Sequence, residues 1–377
     1  MDVQLALFAT GWLLGWWLLW SVPLVRPGRR TEPVTRSYIV PARNEADSLP
    51  NLLDGLMAMR HDGDEVIVVD DRSTDATPDI AARYGATVID AGDLPEGWTG
   101  KSWACHRGVE HSTGSVLVFL DADVRVGPGG LDAIAALHAE RAGLVSVQPY
   151  HETERAYERL SALFNVVAFM GVGAASPPHG RSHGAFGPCL VTTRADYERV
   201  GGHAAVRGDV VEDLALARRF EEAGLPVSVR GGGELVRFRM YPGGVRQLLD
   251  GWTKNMATGA GMVPLLRTLA TVVWITAMLT TVQWAIETVA GAGPGPLVLV
   301  VGFGAFVVQL RIFFERLGDF EFTWALLYPV LLGVFLVVFA RSLWATVVRR
   351  SVPWRGRAIP VGRQRRIRTA PDTAGGP

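Results

Sequence analysis

The sequence predicts an α/β domain with a mostly parallel sheet, joined to transmembrane α-helices. Between residues 36 and 240, short β-branched runs alternate with helical stretches, which is typical of parallel strands covered by helices on both faces. Long apolar stretches lie before residue 26 and after residue 263, although only 49% of the 377 residues are hydrophobic. The chain therefore divides into a sheet domain and a membrane part.

The first predicted element is an uncharged run from Gln4 to Val25, long enough to cross a hydrocarbon core of about 30 Å. It starts next to Met1 without a basic stretch and lacks a small-residue cleavage site, which favours a retained helix over a cleaved signal peptide. Three arginines follow it closely, so the positive-inside rule places the next domain in the cytoplasm. Residues 1–30 are thus expected to form a transmembrane helix and its basic flank.

Residues 31–243 form the predicted sheet domain. Its clearest strands read SYIVPA, EVIVVDD, ATVIDA, VLVFLDAD and LVSVQP. Helices are expected between them, near residues 46–59, 79–84, 102–111 and 130–140. Because ligands of open α/β sheets bind outside the carboxyl ends of the strands, the residues that end each strand are the candidates for a site.

Two of these strands end in paired aspartates. VLVFLDAD ends in Asp121 and Asp123, and Mg²⁺ and Mn²⁺ prefer carboxylate ligands, usually together with substrate phosphates. EVIVVDD ends in Asp70 and Asp71, whose mutual repulsion requires a partner such as a ribose hydroxyl, a base N–H or a cation. An Asp-x-Asp by itself is more often a solvated turn. Its place after a buried strand is what indicates a nucleotide diphosphate site with a divalent cation.

Other features exclude some classes of site. The net charge is zero, so nothing in the bulk charge indicates nucleic acid, and we expect no such partner. The two cysteines, Cys105 and Cys189, are too few for a zinc site and are expected to be buried thiols. Glu212 and Asp213 open a predicted helix, where acidic side chains could simply favour the positive end of the helix dipole.

Five motifs, in this order, resemble the family 2 glycosyltransferases with a GT-A fold. They are PARNEADSLPNLL (41–53), VIVVDDRSTDAT (66–77), GWTGKSWACHRG (97–108), VLVFLDADV (116–124) and VVEDLALARRFEEAGLPV (210–227). Three further stretches, GWTGKSWAC, GAFGPCLVTTRADYERVGGH (184–203) and VPWRGRAI (352–359), are similar to the bacterial branch that glycosylates carotenoid acids. The resemblance implies a membrane-bound, inverting, metal-dependent hexosyltransferase. Its donor would be a UDP-sugar, with glucose favoured, and its acceptor a lipid.

The resemblance also implies roles for individual residues. Donor binding would fall to Ala42, Arg43, Glu45, Asp70, Asp71, Lys101 and Asp121. Asp123, with Asp121, would hold the divalent cation, Mg²⁺ or Mn²⁺. Asp213 would be the general base that takes a proton from the acceptor, although a carotenoid acid that is already ionised would need a base less. For Lys101, a solvated lysine at the start of a helix stays an alternative.

Residues 244–264 are expected to form an interfacial amphipathic helix, since apolar and charged residues recur there at helical spacing. Related synthases carry a Gln-x-x-Arg-Trp motif here that meets the acceptor. Gln247 and Trp252 are present, but they lie one residue further apart and the arginine is missing. We assign Gln247, Trp252 and Glu212 to the acceptor side, with ordinary membrane anchoring as an equal alternative for the helix.

Residues 265–348 are expected to hold two or three transmembrane helices, near 268–290, 296–314 and 322–345, before a basic, disordered tail at 349–377. Three crossings would carry this arginine-rich tail outside. Either one segment lies in the interface, then, or the positive-inside rule fails here. In both cases we expect a multi-pass protein of the cell membrane, surrounded by membrane lipids, with a cytoplasmic catalytic domain.

Other functions stay open at this point. A polyprenyl phosphate, a ceramide or a hopanoid could replace the carotenoid acid as acceptor, because the donor site would be the same. An inactive membrane scaffold or sugar-nucleotide sensor belongs to a different class, since a fold does not guarantee turnover. The intact carboxylates argue against that alternative.

Overall fold

The computed structural model describes residues 2–29, 34–177, 182–349, 351–354 and 357–360. Its strands are β1 Arg36–Ala42, β2 Glu65–Asp70, β3 Thr87–Asp90, β4 Val116–Leu120, β5 Val124–Val126, β6 Leu144–Gln148, β7 Tyr150–His151, β8 Cys189–Thr193, β9 Val227–Gly231, β10 Val236–Phe238, β11 Ser351–Trp354 and β12 Arg357–Pro360. Its helices are α1 Asp2–Leu18, α2 Leu49–Met59, α3 Thr77–Arg83, α4 Gly100–Glu110, α5 Gly130–Arg141, α6 Ala162–Val172, α7 Arg194–Arg199, α8 Gly202–Ala205, α9 Glu212–Glu222, α10 Val245–Ala260, α11 Leu265–Val289, α12 Pro296–Leu317, α13 Phe322–Leu326 and α14 Tyr328–Trp344.

The main sheet has seven strands in the order β3-β2-β1-β4-β8-β6-β9. All of them are parallel except β8, which runs antiparallel to both β4 and β6. Side chains of one face pack against α2 and α5, and those of the other face against α4 and α9. Because both faces are covered, the strands are apolar almost throughout. The predicted, mostly parallel α/β sheet is confirmed, and β8 is an addition that the sequence analysis did not identify.

The first helix is shorter than the apolar run from which it was predicted. It ends at Leu18, and the chain then pairs with the sheet domain: Ser21 N donates to Ala175 O (3.1 Å), and Val25 N donates to the carbonyl of Gly231 (2.8 Å). Pro23 has no N–H for a helical hydrogen bond, which favours this change. The expected helix to Val25 is therefore corrected to one that ends seven residues earlier.

Glycines let α1 approach α11 closely. A Cβ added at Gly11 would lie 2.4 Å from the Ala277 Cβ, and one added at Gly15 would lie 2.4 Å from Trp274 Nε1. Close backbone approach at small residues is how helices associate in lipid. A buried amide adds to the contact: Gln309 Oε1 accepts from Trp274 Nε1 (2.8 Å), and Gln309 Nε2 donates to a carbonyl of α1.

Within the described residues, three helical segments are long and apolar enough to cross a membrane. They are Leu265–Val289, Pro296–Leu317 and Tyr328–Arg349, with mean hydropathies of 1.6, 2.3 and 2.1. α11 leaves the sheet domain antiparallel to α1, since Trp284 near its far end donates to Gln4 (3.0 Å). α12 then returns, and Asp319 N just beyond it donates to His151 O of the sheet domain (2.8 Å).

The chain from Glu321 to Ser342 begins and ends on the side of the sheet domain. At its start, Glu321 forms an ion pair with Arg159 (2.7 Å). The chain then enters the bundle of apolar helices formed by α1, α11 and α12. There the Tyr328 hydroxyl bonds to Thr281, which lies sixteen residues, or about 24 Å, from the start of α11. At its end, Ser342 Oγ donates to Thr253 O of α10 (2.5 Å). α13 and α14 therefore enter the helical bundle and return to the side of the sheet domain.

The start of the predicted disordered tail contains paired backbone. β11 and β12 are antiparallel, with Ser351 opposite Pro360 and Trp354 opposite Arg357. Arg30 and residues 361–377, which carry part of the basic charge used in the sequence analysis, lie outside the described residues.

Candidate active site

The carboxyl ends of β1, β2 and β4 lie side by side at one edge of the sheet. The register aligns Ala42 with Asp70, and Ile39 of β1 with Phe119 of β4, so that Asp121 follows at the same edge. Glu45 follows β1, where its backbone N–H donates to Thr77 Oγ1 (2.8 Å). The strand ends that the sequence singled out are thus brought together, as the parallel topology requires.

The two aspartates at the end of β2, Asp70 and Asp71, each have a partner within the protein that offsets the repulsion between their carboxylates. Arg43 Nη1 donates to the carbonyl of Asp71 (2.6 Å) and lies 3.8 Å from its carboxylate. Asp70 instead accepts from the backbone N–H of Ser73 (3.2 Å), in the turn before α3. The loop after β1 and the end of β2 therefore form one structural unit, in which a guanidinium neutralises the buried Asp71.

Lys101 bridges two acidic elements of the site. Thr99 caps the start of α4, which places Lys101 in the first turn of that helix. Its Nζ lies 2.6 Å from Asp121 Oδ1 and 3.3 Å from Glu212 Oε1. Burial alone would lower the pKa of Lys101, but these carboxylates outweigh burial and hold it well above its ordinary value. The side chain is 31% exposed and bonded on both sides, unlike a freely solvated lysine.

Asp213 lies next to this bridge, in the first turn of α9. Its carboxylate accepts from the backbone N–H of Gly187 (2.7 Å) and from its neighbour Leu214 (2.9 Å). Burial and the adjacent Glu212 charge raise the pKa of Asp213 to about 6, against the opposite effect of Lys101. A carboxylate with this pKa can accept a proton near neutral pH, as a general base must.

Glycine at position 187 leaves room for that contact. A Cβ there would lie 3.0 Å from Lys101 Nζ and 3.1 Å from Asp213 Oδ2. Gly187 belongs to the GAFGPCL stretch that supported the resemblance, but the sequence analysis gave it no role. Its backbone N–H and its small size are what position Asp213.

The donor set fits a divalent cation that shares its coordination with a substrate. Asp123 is half-buried near Tyr241, two residues beyond Asp121. The described residues contain no group of three or more His, Cys, Asp or Glu side chains arranged to hold a metal alone. Two carboxylates from one strand end are nevertheless what Mg²⁺ or Mn²⁺ uses when phosphate oxygens and water complete its shell.

The predicted acceptor-side residues are bonded within the fold. Trp252 is 5% exposed, its ring lies stacked 5.0 Å from that of Phe164, and its Nε1 donates to Ser161 Oγ (3.1 Å). Gln247 Oε1 accepts from Gly243 N (2.8 Å) just before α10. These contacts give both residues a structural role, and their contact with an acceptor stays a prediction.

Asp121, Glu212 and Asp213 form an acid cluster around Lys101, and a second lysine, Lys254 of α10, is within the electrostatic influence of that cluster. Lys254 is half-buried, and burial lowers its pKa against the opposite effect of the Glu212, Asp213 and Asp121 charges. The sequence predicted only an amphipathic helix at 244–264. No local pattern marked this lysine, because its proximity to α9 depends on how α10 docks onto the sheet domain.

The acid cluster borders the apolar helices directly. Leu214, next to Asp213, packs against a buried apolar cluster to which α1, α6 and the helices α10 to α14 contribute. A Cβ added at Gly184 would lie 2.4 Å from the Leu214 Cδ2. Phe186, next to Gly187, stacks on Phe169 of α6 with ring centroids 5.5 Å apart. A molecule with an apolar chain and a reactive head group could therefore lie with its chain against the bundle and its head group near Asp213.

Comparison with known proteins adds relatives over most of the chain. The model of the glycosyl transferase family 2 matches residues 37–190. The 4,4'-diaponeurosporenoate glycosyltransferase of Staphylococcus aureus strain USA300 is 34% identical over 336 residues, covering 87% of this chain and 89% of the relative. The protein of the same name from strain MRSA252 matches with the same identity and coverage.

Among solved structures, the mannosyltransferase PcManGT from Pyrobaculum calidifontis, in complex with GDP-Man and Mn²⁺, is similar in fold. It superposes with a TM-score of 0.57, 20% sequence identity, and coverage of 91% of this chain and 98% of that one. At this identity the likeness concerns the fold, which extends over the sheet domain and the helices together.

Proposed function

Because the chain belongs to the family 2 glycosyltransferases, we propose that it transfers a sugar from a UDP-sugar to the carboxyl group of a carotenoid acid. The observation that carries this proposal is the position of Asp213, a base candidate that borders the apolar helices. The name of the Staphylococcus aureus relative supports the acceptor class. The products would be a glycosyl ester and UDP.

The donor would bind along the edge formed by β1, β2 and β4. Arg43, Asp70 and Asp71 would contact the uridine, and Asp121 with Asp123 would hold a divalent cation at the diphosphate. When bound, that cation supplies positive charge for the leaving group. Lys101, fixed between Asp121 and Glu212, contributes a second positive charge on the same side.

The pKa of Asp213 suits a carboxylic acid acceptor. Such an acid is largely ionised in water, but burial against an apolar surface raises its pKa and leaves part of it protonated. A base with a pKa of about 6 can take that remaining proton. The carboxylate oxygen then attacks the anomeric carbon while the bond to the diphosphate breaks, which inverts the configuration. No covalent intermediate on the protein is needed.

The geometry also supports a membrane topology. α1, α11 and α12 would cross the bilayer, while α13 and α14 enter and return. The arginine-rich tail would then lie on the same side as the sheet domain. That arrangement would satisfy the positive-inside rule with a cytoplasmic catalytic domain. Three crossings after residue 264 would instead place the arginine-rich tail on the opposite side of the membrane, against that rule.

The decisive experiment is product analysis with purified protein in lipid nanodiscs. Labelled UDP-glucose and other UDP-hexoses would be offered with a carotenoid acid, a polyprenyl phosphate, a ceramide or a hopanoid, and products identified by mass spectrometry. We expect a carotenoid product that mild alkali hydrolyses, as it does an ester. Transfer only to another acceptor, or donor binding without any turnover, would refute the proposal. The second result would favour a sugar-nucleotide sensor.

A further inference from the structure

A buried hydroxyl lies behind the peptide group that holds Asp213. Ser146 is the middle residue of β6 and is fully buried. Its Oγ accepts from the backbone N–H of Phe186 (2.7 Å) and donates to the carbonyl of the same residue (3.0 Å). Ser146 therefore satisfies both backbone polar groups of Phe186, in the stretch just before β8.

The carbonyl of Phe186 and the N–H of Gly187 belong to one peptide group. Because a peptide group is planar, fixing the direction of its carbonyl also fixes the direction of its N–H. That N–H donates to Asp213 Oδ2 (2.7 Å). A continuous chain of hydrogen bonds thus runs from the Ser146 hydroxyl through this peptide group to the base candidate.

The other side of Gly187 is fixed as well. Pro188 restricts the backbone of the residue before it, and its carbonyl accepts from the backbone N–H of Asp121 (2.9 Å). Since Gly187 has no side chain of its own to pack, the orientation of its N–H depends on these two anchors. One anchor is the Ser146 hydroxyl and the other is the strand end that carries Asp121.

From this geometry we propose that Ser146 is a positioning residue for sugar transfer, because its hydroxyl holds the Gly187 peptide in the orientation in which that peptide binds Asp213. The proposal rests on the function proposed above. Ser146 acts through Gly187, and its bond to the Phe186 carbonyl also polarises the peptide group and strengthens the N–H as a donor. Without the hydroxyl, two buried backbone groups of Phe186 lose their partner, so the backbone there moves to satisfy them.

Two effects follow for Asp213. Its carboxylate loses the fixed direction from which it meets the acceptor, and a displacement of about 1 Å near the reacting atoms can cost about 100-fold in rate. Burial and the Glu212 charge raise the pKa of Asp213, whereas Lys101 and the N–H groups of Leu214 and Gly187 lower it. Weakening the Gly187 bond therefore raises this pKa further, and the base is deprotonated only at higher pH.

The test compares Ser146→Ala with wild type in nanodiscs, with Ser146→Thr as the variant that keeps the hydroxyl. The matched control is Ser112→Ala, which removes another buried hydroxyl that donates to a backbone carbonyl, that of Val109 (2.8 Å), just beyond α4. For Ser146→Ala we expect kcat to fall about tenfold while the KM for the donor changes less than about twofold. The acidic limb of kcat/KM should move up by about half a pH unit or more. Ser146→Thr should retain most of the wild-type kcat, and the control should behave as wild type.

The pKa of Asp213 can also be measured without turnover, by difference infrared spectroscopy of its carboxyl band, assigned through Asp213→Asn. It should be higher in Ser146→Ala than in wild type. Unchanged kcat and an unchanged pKa in Ser146→Ala would overturn the proposal. Equal losses in Ser112→Ala would overturn it as well, because the effect would then follow from removing any buried hydroxyl. If the pKa rises in Ser146→Ala but wild type transfers no sugar to the carotenoid acid, the inference is supported and the proposed function fails.

Discussion

Replacing Lys101 by methionine is expected to move the pH dependence of sugar transfer to higher pH. Lys101 lowers the pKa of Asp213, which burial and Glu212 raise to about 6 in the intact site. Without the lysine charge, the pKa of Asp213 rises further. Because a base must be deprotonated to act, the acidic limb of the pH profile then moves upward.

The structure sets the size of this shift. Lys101 Nζ and Asp213 Oδ2 each lie about 3 Å from the same point beside Gly187, so that they are at most about 6 Å apart. Two unit charges at about 6 Å interact by about 3 kcal/mol at an effective dielectric constant of 20 and about 0.7 kcal/mol in water. At 1.36 kcal/mol per pKa unit, the expected shift is about half a unit to two units. The partial exposure of Lys101 favours the lower half of that range.

The assay is kcat/KM for the acceptor between about pH 5 and 9, because this ratio reports the ionisation of the free enzyme. The free acceptor ionises in the same way in both assays. A difference between wild type and variant in the position of the acidic limb therefore comes from a group of the protein. Glu212→Gln is the opposing variant. Glu212 raises the pKa of Asp213, so its neutral isostere should move the acidic limb to lower pH.

Two results would refute this reasoning. One is an acidic limb that stays in place in both variants while activity remains measurable. The other is a shift of both variants in the same direction, which charge interaction with Asp213 cannot produce. If Lys101→Met is too slow to measure, the Glu212→Gln profile carries the test alone.

Two further predictions concern the metal and the membrane topology. Asp123→Asn should lower transfer about 100-fold or more, since a metal supplies several kcal/mol of charge stabilisation. Excess chelator should do the same to wild type and added Mn²⁺ should reverse it, so undiminished activity in chelator would contradict the metal site. Single cysteines at Asp62, Glu321 and Arg349 should react with an impermeant maleimide from one side of the membrane, and one at Ala292 from the other. Labelling of position 349 from the side of position 292 would show that the last segment crosses.

The cysteine background should be low in that labelling experiment. The two native cysteines, Cys105 and Cys189, are both buried and free, as the sequence analysis expected. Burial raises the pKa of both thiols, that of Cys189 to about 12, so neither is expected to react readily.

The strand ends show how much of the site could be predicted locally. A buried strand has a recognisable run of β-branched residues, and its direction places its last residue at a known edge of a parallel sheet. Asp70, Asp71, Asp121 and Asp123 were predicted as candidate site residues in this way. Their partners were not, because the Arg43 contact and the Lys101 bridge join residues that are distant in sequence.

Local sequence features predicted the class of sheet, the family resemblance and the apolar character of the flanking helices, since each depends on short-range periodicity or on motifs. Tertiary structure decided where α1 ends, because Ser21 and Val25 find hydrogen-bond acceptors in the sheet domain. The tertiary structure also brings α14 back to the side of the sheet domain, and it brings Lys254 within the electrostatic influence of Glu212 and Asp213. Hydropathy gives the length of an apolar segment but does not show whether that segment crosses the bundle or turns back. Helical spacing shows which side chains share one face of a helix but not which element packs against that face. Both depend on contacts that form only when distant parts of the chain pack together.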